Sequence, residues 1–237
     1  MAPRQNNPNR IEALRRQIVR VEQTRQNAED VPVASGCSPL DRLLGNGGFR
    51  RGTLVEWLAA GQSSGAETLA LTAAREACRQ GGTLVVLDAR REFYPPAAVR
   101  LGIELQRLVV VHPTGPADAA WALDQALRCP GVAAAVAWAE KVDGPTLRRW
   151  QLAAEQSGAL GLLIRPESAR HEPSWAEVRL LVEPLPVRSL QSHRRRSKVH
   201  LLRCRRATGG RSAEVEIDDE TRIMHLATQL AHPTPMR

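Results

Sequence analysis

The sequence predicts an α/β domain, with a mainly parallel β-sheet flanked by helices, antiparallel strands at its C-terminal edge and a helix ahead of it. Three observations lead there. From Val31 onward, short apolar runs punctuated by Gly and Pro alternate with stretches of helical periodicity, the pattern of consecutive βαβ units. Aromatics are scarce, with five Trp, two Phe and one Tyr, so the interior is built from Ala, Val, Leu and Ile, as buried parallel strands require. The last part of the chain changes character and reads as successive strands joined by tight turns.

The elements follow in order. After a polar start with two prolines, Ile11, Leu14, Ile18 and Val21 recur at helical spacing while Arg15, Arg16, Arg20, Glu22 and Arg25 take the other faces. This is an amphipathic helix ending before Asp30, whose narrow apolar stripe packs on its own domain or docks on another protein. Strands are expected at Thr53–Leu58, Thr83–Leu87, Leu108–Val111, Val132–Trp138 and Leu160–Ile164. Helices fall between them at Glu67–Gln80, Pro95–Leu101, Pro116–Leu127 and Gly144–Gln156. Glu177–Val182, Lys198–Cys204 and Glu214–Ile217 read as further strands, the last two joined by a turn at Gly209 and Gly210. The expected organisation is a polar segment and helix over 1–30, a core over 31–228 and a tail over 229–237.

At 237 residues the chain suits one packed domain plus an appendage, and 43% hydrophobic with 24% charged residues excludes a disordered protein. Lys and Arg number 33 against 25 Asp and Glu, a formal charge of +8, so acidic partners fit. An Arg-rich, Ala-rich composition imposed by GC-rich coding gives the same balance. Cys37, Cys78, Cys129 and Cys204 form no CxxC pair and the histidines lack ligand spacing, so neither a disulfide framework nor a metal site is predicted. No apolar run approaches bilayer length, and the expected location is the cytoplasm, without membrane contact.

The stretch Leu40–Leu71, LDRLLGNGGFRRGTLVEWLAAGQSSGAETLAL, resembles the start of the RecA ATPase core, where a Gly-rich approach leads into a strand and a phosphate loop. The family's loop has the form GPESSGKTTL, in which backbone N–H groups and the lysine meet phosphates and a hydroxyl holds magnesium. Here the matching residues run from Ala60 to Leu69. Gly61 lies within them, and Ser63, Ser64, Gly65, Thr68 and Leu69 agree. Ala60 replaces the first glycine, Ala66 the lysine and Glu67 the magnesium-binding hydroxyl. Losing a charge-assisted phosphate contact costs about 1.5–3 kcal/mol, and Glu67 adds like-charge repulsion against a triphosphate. Tight ATP binding is not expected, no cofactor is assigned, and the loop reads as a vestige kept for its tight turn.

The resemblance continues through Leu84–Pro113, LVVLDARREFYPPAAVRLGIELQRLVVVHP. It implies that the acidic residue positioning the attacking water falls on Arg90 and the adenine-stacking tyrosine on Ala97. The strand that should end in a magnesium-supporting aspartate, Gly131–Trp138, offers only apolar residues until Glu140. These joint losses imply a chain that is not an enzyme, and no catalytic residue is nominated. The alternative is an unorthodox ATPase in which Arg90 and Arg91 replace the lysine and Glu140 serves as a displaced carboxylate. The family's two DNA-lining loops are reduced to Lys141–Gly144 and to the dozen or so residues between Pro166 and Ala176. What remains basic is Arg188, His193, Arg194, Arg195, Arg196 and Lys198, with Arg203, Arg205, Arg206 and Arg211 nearby. Such a cluster neutralises phosphates, forms a solvated arm, or docks an acidic protein. Trp138, Trp150 and Trp175 read as core or interface anchors.

Within the RecA superfamily the chain resembles the ImuA group in three blocks, LRRWQLAAEQSGALGLLIRP at Leu147–Pro166, VRLLVEP at Val178–Pro184 and LLRCRRATGG at Leu201–Gly210. The superfamily resemblance as a whole covers about Val33 to Ile217. The resemblance to the ImuA group implies a non-catalytic accessory role in damage-induced (SOS) translesion DNA synthesis. The implied partners are an ImuB-like inactive Y-family polymerase, an error-prone DnaE-type polymerase and RecA itself, the last through the helix of Ile11–Val21. Weak DNA contact by the basic cluster accompanies these. A SulA-like inhibitor of the division protein FtsZ shares the same inactive scaffold and is the alternative from a different class.

Overall fold

The computed structural model describes residues 31–61, 63–186, 194–205, 209–218 and 224–226. The chain divides into two compact units, Met1–Val31 and Pro32–Arg237, and the described residues fall in the second apart from Val31. The helix expected around Ile11, Leu14, Ile18 and Val21, the tail over 229–237, and Arg188, His193 and Arg206 of the basic cluster lie outside the described residues.

Helices and strands alternate as the pattern predicts. Strand β1 (Leu54–Ala59) feeds α2 (Ala66–Cys78), after a short α1 (Ser38–Leu44) that precedes it. Next come β2 (Thr83–Leu87), α3 (Pro95–Arg100), β3 (Leu108–Val111) and α4 (Pro116–Arg128). Then follow β4 (Val132–Trp138), α5 (Gly144–Ser157), β5 (Leu160–Pro166) and β6 (Val178–Leu185). The chain then lays down β7 (Arg194–Cys204), β8 (Ser212–Asp218) and β9 (Met224–Leu226). One nine-stranded sheet results, in the order β3-β2-β4-β5-β1-β6-β7-β8-β9. The first six strands are parallel and β6 to β9 pair antiparallel.

Three features differ from the sequence reading. Helix α1 was not anticipated; Pro39 in its first turn supplies a fixed φ and Gly45 ends it at φ 82°. Strand β7 begins at Arg194, not Lys198, because its charged residues alternate with sheet-facing ones and so hide a period-2 pattern. A ninth strand, Met224–Leu226, extends the edge.

The sheet separates two cores. Val55 and Trp57 of β1 join Leu162, Ile164, Val136 and α2 on one face, while Leu54 joins Leu123, Leu147 and Trp150 under α4 and α5 on the other. Helix α2 meets the sheet through Ala66, Ala70, Ala73, Ala74 and Ala77, each at most 1% exposed, so its backbone lies close to the strands. On the α5 face a charged network is buried between the parallel strands. Glu56 of β1 accepts from Arg165 of β5 at 2.8 Å and from Arg179 of β6 at 2.5 Å. Arg165 reaches on to the Ala139 carbonyl at 3.1 Å and to Glu172 at 2.6 Å. Arg179 donates to the Ala169 carbonyl at 2.6 Å, so the pair pins the loops after β4 and β5 to the sheet.

Candidate functional site

The turn after β1, which resembles the family's phosphate loop in sequence, is held in a left-handed backbone and against the neighbouring strands. Gly61 and Gly65 sit at φ 87° and 89°, and Ser63 adopts φ 63°, a left-handed conformation costing a β-carbon residue about 1–2 kcal/mol. Gly65 caps α2, and a Cβ on it would lie 2.8 Å from Ser197 Oγ. The Ser197 hydroxyl in turn donates to the Ser64 carbonyl at 2.7 Å. β7 therefore walls the loop, while the Ala60 N–H donates to Val182 of β6 at 3.0 Å. Ala66 packs into the α2 core, and Thr68 gives its carbonyl to Thr72 at 2.7 Å.

Glu67, where the resemblance places a hydroxyl, is exposed and accepts a hydrogen bond from Trp138 Nε1 at 2.7 Å. Trp138 is the last residue of β4, the strand on which the resemblance places a terminal aspartate. The two substituted positions thus satisfy one another. Sequence reasoning read the two residues separately, since nothing in a one-dimensional pattern joins residues on α2 and β4.

Arg90 lies in the turn after β2. Its guanidinium forms an ion pair with Glu140, just beyond β4, with both side chains more than half exposed. The cation and the carboxylate on which an unorthodox ATPase would rely therefore neutralise each other, and Arg91 stands at φ 58°. Asp88, 3% exposed, accepts from the backbone N–H groups of Glu92 and Phe93, each at 3.0 Å, which fixes the turn after β2.

Beside these groups a cleft of about 1020 Å³ follows the C-terminal ends of β2 and β4 and the first turns of α4 and α5. Leu87, Phe93, Leu123, Ala137 and Trp150 line it among its apolar residues. Its charged lining is Glu67, Asp88, Glu92, Glu140, Asp143 and Glu172 against Arg90 and Lys141. Asp143 caps α5, and hydrogen bonds from Thr146 hold its carboxyl below the usual carboxylate range. In open α/β sheets the crevice beyond the carboxyl ends of the strands is where ligands bind. Among the described residues no group of His, Cys, Asp and Glu is clustered to hold a metal. The cysteines are free, and burial pushes the thiols of Cys37 and Cys78 up to about 11.

The basic cluster is laid out along β7 with alternating sides. Arg194 faces Asp218 at 3.1 Å and Glu216 at 3.6 Å, Arg196 pairs with Glu214 at 2.8 Å, and His200 meets Glu183 at 2.7 Å. Lys198 lies between Glu183 and Glu214 in register. A run that is uniformly positive in sequence becomes a ladder of both signs in the sheet. Arg195 shares the strand face of Ser197 and is half-buried; Arg203 donates to the Ser174 carbonyl at 2.8 Å, and Arg205 is exposed. Of the tryptophans, Trp150 is buried and donates to the Ala120 carbonyl at 3.1 Å. Trp175 is 41% exposed, with the Arg148 guanidinium 5.0 Å from its ring centroid.

Comparison with known proteins agrees with this architecture. The RecA N-terminal domain family matches residues 12–137, just over half of the chain. Protein RecA of Chlorobaculum parvum is 41% identical over 81 residues, 34% of this chain and 23% of the relative. RecA of Desulforapulum autotrophicum is 40% identical over 103 residues, covering 43% and 29%. RecA of Laribacter hongkongensis is 35% identical over 115 residues, covering 48% and 32%. These matches span about a quarter to a third of the relatives' length. The crystal structure of the RadB recombinase is similar in fold with a TM-score of 0.64, at 19% identity, over 83% of this chain and 100% of that one. Among the described residues no helix is long and apolar enough to cross a membrane.

Proposed function

The chain belongs to the RecA N-terminal domain family, and from that premise we propose that it is a non-catalytic accessory protein of damage-induced translesion DNA synthesis, acting through contacts with other proteins and weakly with DNA. The observation that carries the non-catalytic part is the Glu67–Trp138 hydrogen bond at 2.7 Å. A carboxylate stands where the resembled ATPases place a metal-binding hydroxyl, the strand that in them ends in an aspartate offers only apolar residues through Trp138, and Ala66 stands where they place the phosphate-binding lysine. The Arg90–Glu140 ion pair supports the same reading, since it occupies the cation and carboxylate that an unorthodox site would use. The link to translesion synthesis rests on the three blocks that resemble the ImuA group. The partners in this reading are an ImuB-like inactive polymerase, a DnaE-type polymerase and RecA.

Purification of the tagged chain from DNA-damaged cells, followed by mass spectrometry, tests it. Recovery of the two polymerase partners is the expected result. Recovery of FtsZ, with filamentation on overexpression, would move the chain to cell division instead.

A further inference from the structure

The cleft beside the vestigial loop has chemistry of its own. Ligand pockets usually run to about 300–1,000 Å³, so a volume of about 1020 Å³ is at the top of the range. Apolar residues form much of its wall, including Phe93, Leu123 and Trp150, and four of its carboxylates, Glu67, Glu92, Glu140 and Asp143, are exposed, Glu140 being paired with Arg90. Its charged groups are six carboxylates against two cations, on a chain whose formal charge is +8. The lining is therefore net acidic at the end of the sheet where its fold class binds ligands. Such a field repels the phosphates of nucleotides and of DNA and attracts cations. The apolar wall adds affinity for a hydrophobic side chain.

Resting on the scaffold reading above, we propose that this cleft is a docking pocket for a basic peptide segment of a partner protein, an apolar anchor residue seated on Phe93 with a flanking arginine or lysine meeting Glu92. The peptide completes electrostatically what the chain itself leaves unbalanced. Its affinity falls as salt screens the exposed pair.

Isothermal titration calorimetry of the full chain tests this with three probes: acetyl-Arg-Leu-Phe-Arg-amide, its charge-reversed counterpart acetyl-Glu-Leu-Phe-Glu-amide, and magnesium ATP. The basic peptide is expected to bind at least about tenfold tighter than the acidic one. The substitution Glu92→Lys is expected to remove about that factor. Ala117→Trp, an exposed position on α4 at the cleft, is expected to block the basic peptide by volume alone, independently of charge. Equal affinity for the two peptides, or an unchanged affinity in both variants, would overturn the proposal. If neither peptide nor ATP binds, the docking pocket fails while the scaffold reading stands; tight binding of ATP would sink the scaffold reading instead.

Discussion

Glu67 and Trp138 are joined by a hydrogen bond at the candidate site. Each sits at a position where the sequence already differs from a working ATPase, so the substitutions were legible one by one. Their mutual hydrogen bond was not, because only the parallel placement of β4 beside the end of α2 brings the indole to the carboxylate. Trp138→Phe removes the donor and keeps most of the ring, and the expected loss is about 0.5–1.5 kcal/mol in urea unfolding. Substitution of Glu67 by Thr restores a hydroxyl without lysine or aspartate, and no nucleotide binding is expected from it in calorimetry. At the thiols, burial determines reactivity: at pH 8 Cys129, exposed, is expected to react with maleimide well before Cys37, whose thiol is raised to about 11. Mass mapping of the labelled peptides reads the order.

At the scale of elements, the strands of the parallel sheet were readable because each is a short apolar run between breakers. β7 was half hidden, since a strand that carries Arg194, Arg196 and Lys198 on one side looks like a solvated arm until its register is known. The ladder on that side is partly exposed, and each of its ion pairs is worth about 0–1 kcal/mol. Breaking them singly is expected to leave the melting temperature almost unchanged. The buried network is different in kind. No periodicity announces that Glu56, in the middle of an apolar strand, meets two arginines from strands more than a hundred residues away. Glu56→Ala removes the carboxylate shared by the buried Arg165 and Arg179, and a loss of about 3–5 kcal/mol is expected in denaturant titration. Gly65→Ala imposes φ 89° on a β-carbon and a 2.8 Å contact on Ser197, for an expected loss of about 1–2 kcal/mol.

Over the whole molecule, composition foretold the α/β class and the basic balance but not the distribution of charge. Neighbours in space decide that distribution: Arg194 and Arg196 meet acids across β8, while Glu67, Glu92, Glu140 and Glu172 converge from four separate loops and helix ends on a single cleft. The RecA-like fold thus carries a net acidic cleft at the carboxyl ends of its strands, and the proposed reading is that this end no longer works on nucleotide. The most direct measurement of that claim is calorimetry of the purified full chain with ATP and magnesium, paired with a phosphate-release assay. No heat of binding up to millimolar nucleotide and no turnover are predicted. A micromolar dissociation constant with hydrolysis that disappears in Arg90→Ala or Glu140→Ala would contradict the account.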